Sequence, residues 1–167
     1  MDRKKCLVSN TIGEMLVKQI AHELKNYDLY KSFANYFDVE GVADLATYFN
    51  KRADEEKNHH EWCISYLTDA NYKVLYPAIE VNTVKIENYS TPFDATIERE
   101  IETTQLIYKI YEQAISEKDY MTAAWLLEKL IKEQHEEESI SLSASDIIKQ
   151  DSDIFLKAEK VLELLEN

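Results

Sequence analysis

Residues 42–68 read VADLATYFNKRADEEKNHHEWCISYLT, a stretch without Gly or Pro in which apolar residues recur at helical spacing. Two heptad lines run through it, and both are expected to face the interior of a packed bundle. One line holds Val42, Phe49, Glu56 and Cys63, and the other holds Leu45, Arg52, His59 and Tyr66. Glu56 and His59 are therefore one helical turn apart at positions where a bundle normally places hydrocarbon.

Three further segments carry a polar side chain on an inward line. Glu23 interrupts the apolar line of the first predicted helix, and Glu100 interrupts that of the third. On the fourth segment the inward face is predicted to hold Leu127, Leu130, Ile131, Gln134, Glu137 and Ser141. Four helices are thus predicted to bring carboxylate, amide or imidazole groups to a common depth.

The composition favours a single all-α domain spanning 1–167. At 167 residues the chain has the length of one domain and can bury roughly two thirds of its unfolded surface. Hydrophobic residues make up 45 %, an ordinary share, and only two Gly and two Pro can interrupt helices. No run of about 18 apolar residues occurs, so the sequence excludes a transmembrane span.

The chain carries 32 acidic and 19 basic side chains, a formal net charge of −13. This charge repels nucleic acid and anionic membranes, so neither is an expected partner, whereas cations are. Cys6 and Cys63 lack paired spacing and the start MDRKKCLV lacks a signal-peptide core, which favours a reducing, cytoplasmic location. Cys63 is predicted to be a small core residue. Histidines off the inward lines, expected on helix surfaces or in solvent, are His22, His60 and His135.

The pattern predicts four long helices and a short terminal one. The long helices are expected at about 11–37, 42–68, 92–117 and from the turn at 118–120 toward Ile148. The terminal helix is expected to be capped by Asp151 or Ser152 and to end at Leu164 or Leu165. Thr11 and Glu14 have capping-box spacing at the first helix. Residues 71–91 show no helical period and contain Pro77, so a crossover running the length of the bundle is expected. The predicted fold is a four-helix bundle with a long connection between its second and third helices.

Inward carboxylates need a physical explanation, because moving one unpaired carboxylate out of water costs several kcal/mol. Two divalent cations would neutralise Glu23, Glu56, Glu100 and Glu137. Imidazole from His59, with oxygen ligands and no sulfur, favours iron or manganese over a structural zinc. Each residue also has an ordinary explanation, since a Glu can reach a helix end and a Glu-x-x-His pair can lie on a surface. A metal-free acidic interaction protein therefore stays open, as does a di-iron or di-manganese redox enzyme that does not store metal.

Five sequence pieces carry a resemblance to a known family. They are HELKNYDLY at 22–30, VEGVADL at 39–45, ADEEKNHHEW at 53–62, REIETTQLI at 99–107 and EQHEEE at 133–138. With them the chain resembles a bacterial-type non-haem ferritin, of the ferritin-like di-iron family. The resemblance implies a ferritin-like four-helix bundle that oxidises Fe(II) with dioxygen or peroxide and stores ferric mineral inside a homo-oligomeric cage of 24 subunits.

The resemblance also implies roles for individual residues. The first iron would be held by Glu23, Glu56 and His59. Glu56 would bridge to a second iron held by Glu100 and approached by Gln134 and Glu137. Tyr30 would lie beside the pair as a hydrogen-bond partner and a possible one-electron donor.

A third iron site next to the pair is implied for Glu55, Glu133 and Glu136. The alternative reading of these three residues is that they are solvated acids on a charged helix face. Each precedes a residue of the predicted pair site by one position, so it is rotated toward another face of its helix.

The sequence departs from neighbouring branches of the family at identifiable positions. The fourth helix carries Gln134-x-x-Glu137 where a bacterioferritin would repeat Glu-x-x-His, and Lys57 stands where a haem-binding methionine would be expected, so no haem is expected. Two isolated cysteines cannot build the rubredoxin iron site of a rubrerythrin. The stretch TAAWLLEKLIK at 122–132 reads as one residue longer than is usual in the family.

Overall fold

The computed structural model describes residues 5–166, and in that range every regular element is a helix. The helices are α1 Asn10–Val39, α2 Ala43–Asp69, α3 Thr91–Ser116, α4 Tyr120–Leu126, α5 Lys132–Ile148 and α6 Ile154–Glu163. A π-helical turn, Leu127–Ile131, joins α4 to α5 without a break. The all-α prediction is confirmed, and the predicted ends of the long helices are displaced by only one or two residues. None of the helices in the described range combines the length and apolar character needed to cross a bilayer.

The turn from α1 to α2 is a Schellman motif, which folds the two helices back against each other. The amide of Val42 donates to the carbonyl of Phe37 at 2.9 Å, and the amide of Gly41 donates to Asp38 at 3.2 Å. Gly41 has a φ of +77°, a conformation that glycine adopts without steric cost. The short turn makes α1 and α2 an antiparallel pair, as predicted.

The N-cap of the first helix lies two residues before the predicted one. Ser9 is the N-cap, and its hydroxyl accepts a hydrogen bond from the amide of Ile12 at 3.1 Å. Thr11 is therefore inside the first turn and exposed, and the predicted capping box of Thr11 and Glu14 is wrong. The Ser9 hydroxyl thus satisfies one of the unpaired amides of the first turn, that of Ile12, from a position outside the helix.

The connection from α2 to α3 runs the full length of α1, as predicted. Its contacts follow α1 from start to end: Tyr72 on Gly13, Asn82 on Lys25 and Tyr89 on Glu40. A Cβ on Gly13 would lie 2.1 Å from the Tyr72 ring, so the absence of a side chain there allows the close approach. This course makes α3 parallel to α2 and antiparallel to α5, while α6 packs on α2 and α5.

Two apolar clusters fill the two ends of the bundle. The aromatic cluster contains Phe33, Phe37, Tyr48, Phe49 and Phe93. The aliphatic cluster contains Ile12, Leu16, Ile20, Leu67, Ile107, Ile110, Leu126 and Leu130. Between them α1, α2, α3 and α5 contribute a layer of buried polar side chains, and this layer holds most of the residues singled out from the sequence.

Candidate metal centre

The polar layer contains one compact group of potential metal ligands. Glu23 on α1 and Glu56 and His59 on α2 are at most 4 % exposed, and each offers a ligand atom within 4.8 Å of the others. Nδ1 of His59 is 3.5 Å from Oε2 of Glu56, one turn earlier on the same helix. Antiparallel packing of α1 on α2 brings Glu23 to the same depth. Within residues 5–166, this is the group whose geometry suits a metal ion.

Several oxygens of this group accept no hydrogen bond from the described residues, although Oε2 of Glu56 lies 3.5 Å from Nδ1 of His59. Oε2 of Glu23 and both oxygens of Glu56 are buried and receive no hydrogen bond from the described residues, while Oε1 of Glu23 accepts one from Gln19 at 2.7 Å. Buried polar atoms in folded proteins are almost always hydrogen-bonded, so unpartnered carboxylate oxygens indicate a missing cation or donor. The donor set of two carboxylates and an imidazole therefore fits a ferrous or similar divalent ion.

Glu100, which was predicted to hold a second ion, is instead fully hydrogen-bonded by protein groups. Its Oε1 accepts from the hydroxyl of Tyr30 at 2.6 Å and from Nη2 of Arg52 at 2.7 Å. Its Oε2 accepts from the amide of Gln134 at 2.7 Å. The structure thus brings Tyr30, Glu100 and Gln134 into the centre, but it commits both Glu100 oxygens to donors.

Arg52 is the residue of the centre that sequence reasoning did not single out. It is 1 % exposed, and its guanidinium also donates to Glu55 at 2.9 Å and lies 3.5 Å from Glu137. The available signal was its place on a heptad line of α2, seven residues before His59. Arginine at such a position usually extends its charged end to solvent, so heptad position alone does not reveal burial of the guanidinium.

Glu137 completes the centre from α5. Its Oε1 lies 3.7 Å from Nε2 of His59 and 3.5 Å from Nη1 of Arg52, and its Oε2 has no partner among the described residues. Glu137 therefore stands between the group on α1 and α2 and the side chains around Glu100.

The carboxylates of the centre differ in their affinity for protons. Burial, reinforced by Glu56, raises the pKa of Glu23 well above its usual value. Burial acts on Glu56 as well, yet the neighbouring His59 lowers the pKa of that carboxyl. Although burial opposes it, the negative charge of Glu137 and the contact with Glu56 raise the pKa of His59 to about 10. A metal ion that binds here must therefore displace a proton from His59 and compete with protons for Glu23.

The three acids predicted to form a third site lie outside this layer. Glu55 is partly exposed and pairs with Arg52, while Glu133 and Glu136 on α5 are exposed. Their role in holding an ion stays a prediction.

Two of the three remaining histidines are buried, contrary to the prediction. His22 is 8 % exposed, and its Nε2 lies 2.7 Å from Oγ1 of Thr103 on α3. His60 is 9 % exposed, whereas His135 is exposed as predicted. Cys63 is buried in the core, also as predicted. The heptad lines missed His22 because it faces α3 rather than the centre of the bundle.

Comparisons with known proteins identify the family and the fold. A model of the ferritin-like domain matches residues 13–144. The chain is 28 % identical over 134 residues to the bacterial non-heme ferritin of Staphylococcus aureus strain USA300, covering 80 % of each chain. It is similar to the open pore ferritin of the archaeon Archaeoglobus fulgidus, with a TM-score of 0.86 and 25 % identity over 93 % of this chain and 98 % of that one. A structure described as a humanized archaeal ferritin has the same TM-score and identity, covering 94 % and 95 % of the two chains.

Proposed function

The chain belongs to the ferritin-like domain family, and we propose that it stores iron and oxidises Fe(II) within the polar layer of each subunit. The unpartnered oxygens of Glu23 and Glu56 beside His59 are the observation that carries this proposal. Carboxylates kept in a water-poor interior without donors are costly unless a cation compensates them. The relatives named above are ferritins, which makes iron the first cation to test.

In the proposed reaction the first ferrous ion binds to Glu23, Glu56 and His59. A second enters on the side of Glu100, Gln134 and Glu137, with Glu56 between the two ions. Each ion gives up one electron. The two electrons and two protons reduce dioxygen to hydrogen peroxide, or they reduce one molecule of hydrogen peroxide to two molecules of water. Carboxylate ligands favour the ferric product because they stabilise the higher charge. Tyr30, which donates a hydrogen bond to Glu100, is the proposed one-electron donor.

We further propose that the subunits form a closed 24-subunit cage that holds the ferric product. Exposed apolar side chains on the crossover, among them Leu75 and Val81, provide surface suited to another copy. The net charge of −13 would concentrate cations at such a shell. The partly exposed Glu55 and the exposed Glu133 and Glu136 are the proposed third iron site.

Size-exclusion chromatography followed by aerobic addition of Fe(II) tests the function as a whole. We expect a large soluble shell that takes up many irons per subunit. A small oligomer that takes about two ions per subunit would support a redox enzyme without a cage. Absence of any uptake would support a metal-free interaction protein and overturn the proposal.

Substitutions at the centre test the site assignment. We expect E56A and H59A to slow rapid Fe(II) oxidation by about 100-fold or more, because each removes a ligand of the first ion. Assembly should be unchanged, since neither side chain reaches the subunit surface. The matched controls E61A and H135A alter exposed residues and should oxidise iron as the wild type does. Wild-type kinetics in E56A and H59A would refute the assignment.

A further inference from the structure

The two halves of the proposed iron centre are not equivalent. On the α1 and α2 side, the free oxygens belong to Glu23 and Glu56. On the α3 side, both oxygens of Glu100 already accept short hydrogen bonds from protein donors. A cation entering the first half meets free ligand atoms on two residues. In the second half only Oε2 of Glu137 is free, and binding to Glu100 must break existing hydrogen bonds.

Arg52 is the charged donor among the three side chains that donate hydrogen bonds to Glu100. Its guanidinium is buried and contacts carboxylates from three helices, namely Glu55 on α2, Glu100 on α3 and Glu137 on α5. Two of these, Glu100 and Glu137, are the residues expected to bind a second ion. Hydrogen bonds between a guanidinium and carboxylates are among the strongest in proteins. The positive charge of Arg52 thus lies beside the position that a second metal ion would need.

We propose that Arg52 competes with the second metal ion, so that each subunit binds one divalent ion tightly and a second only by displacing the Arg52 guanidinium. Glu55 is partly exposed and already bonded to Arg52, so it can keep the guanidinium when Glu100 is released. The inference deepens the proposed function, because it concerns how the same centre is loaded with iron.

Metal titration of the assembled protein tests this inference without relying on catalysis. Chelator-treated wild type and R52Q would be titrated with Co(II), using visible absorption and equilibrium dialysis to count bound ions. We expect the wild type to bind one ion per subunit at least about tenfold more tightly than the second. In R52Q the second ion should bind at least about tenfold more tightly than in the wild type, because Glu100 and Glu137 are no longer neutralised.

Two further variants serve as controls. R99Q removes a guanidinium on α3 that bonds Asn26 and Glu102 instead, and it should titrate as the wild type does. R52K keeps the positive charge and should retain the weak second ion. If R52Q does not assemble, two wild-type ions of equal affinity would still overturn the inference.

The possible outcomes separate this inference from the proposed function. Two wild-type ions of equal affinity, or an R52Q variant with an unstrengthened second ion, would overturn the role of Arg52 and leave the proposed function standing. A wild type with no tight ion, or one whose tight ion survives in E56A, would overturn the proposed function as well.

Discussion

His22 is held neutral by the groups around it. Nη2 of Arg99 lies 3.1 Å from Nδ1 of His22, and because arginine can only donate, Nδ1 must accept. The ring proton is therefore on Nε2, which donates to Oγ1 of Thr103 at 2.7 Å. Burial and the charge of Arg99 lower the pKa of His22 to about 4. A second proton on this ring would face the guanidinium directly.

This arrangement predicts a pH dependence of stability. In the unfolded chain His22 takes up a proton below about pH 6.5, whereas in the folded chain it does so only near pH 4. The contribution of His22 is therefore complete above pH 6.5 and is lost as the pH falls toward 4, on the order of 3 kcal/mol in all. Calorimetry of chelator-treated protein should show that H22Q loses less stability on acidification than the wild type.

His135, which is exposed, provides the matched control for this measurement. The variant H135Q should lose stability on acidification as steeply as the wild type. If H22Q followed the same steep course, His22 would have to be protonated in the folded protein.

Heptad position predicted which carboxylates turn inward, but it did not predict how they are partnered. Glu23, Glu56 and Glu100 were identified because a charged residue on an apolar line is conspicuous. Arg52 was overlooked because its long side chain can extend either to solvent or into the interior. Its conformation depends on ion pairs with Glu100 and Glu137, which belong to other helices. The heptad pattern of one helix does not show which residues of other helices will contact it.

At the level of elements, the π-helical turn Leu127–Ile131 explains the apparent extra residue of the fourth predicted helix. A π-helical turn holds one residue more than an α-helical turn, so it absorbs an insertion without rotating the helix on either side. Leu126 and Leu130 face the aliphatic cluster before and within the turn, and Gln134 faces the centre after it. Leu127, predicted to face inward, is 47 % exposed because it lies in the wider turn.

Deleting one residue from this turn should therefore be tolerated. In a ΔLys129 variant the segment can return to a regular α-helix, and Gln134 and Glu137 should keep their orientation. The exposed Lys129 contributes only a cation–π contact with Trp62 at 5.8 Å, worth about 1 kcal/mol or less. We expect a small fall in melting temperature and wild-type Co(II) binding.

A deletion in a regular helix is the appropriate comparison. Gln105 is exposed on α3, but removing it rotates Glu100 relative to Ile107 and Ile110. The ΔGln105 variant should lose much of its stability and its Co(II) binding. Equal damage from the two deletions would show that the π-helical turn is not the site of the extra residue.

For the whole molecule, the bundle fold follows from features visible in the sequence. Few Gly and Pro, four amphipathic stretches and short turns at both hairpins leave an antiparallel bundle as the natural solution. The crossover was predictable in extent but not in contacts, because an extended segment has no period to indicate which side chains it buries. The structure shows which apolar side chains of the crossover remain exposed on the subunit, and the sequence alone does not.

These exposed residues lead to the last prediction, which concerns assembly. Leu75 is 86 % exposed and Val81 is 84 % exposed. Exposure of these apolar side chains to water is unfavourable, and contact with another copy would bury them. The double variant L75E/V81E should elute from a sizing column as smaller species, while its helical content and its single tight Co(II) ion per subunit are retained. T83E adds one glutamate at an exposed polar position of the same segment and should elute as the wild type does. A double variant that still forms the full shell would show that the crossover lies outside the subunit contacts, and the assembly surface would then have to be sought elsewhere on the bundle.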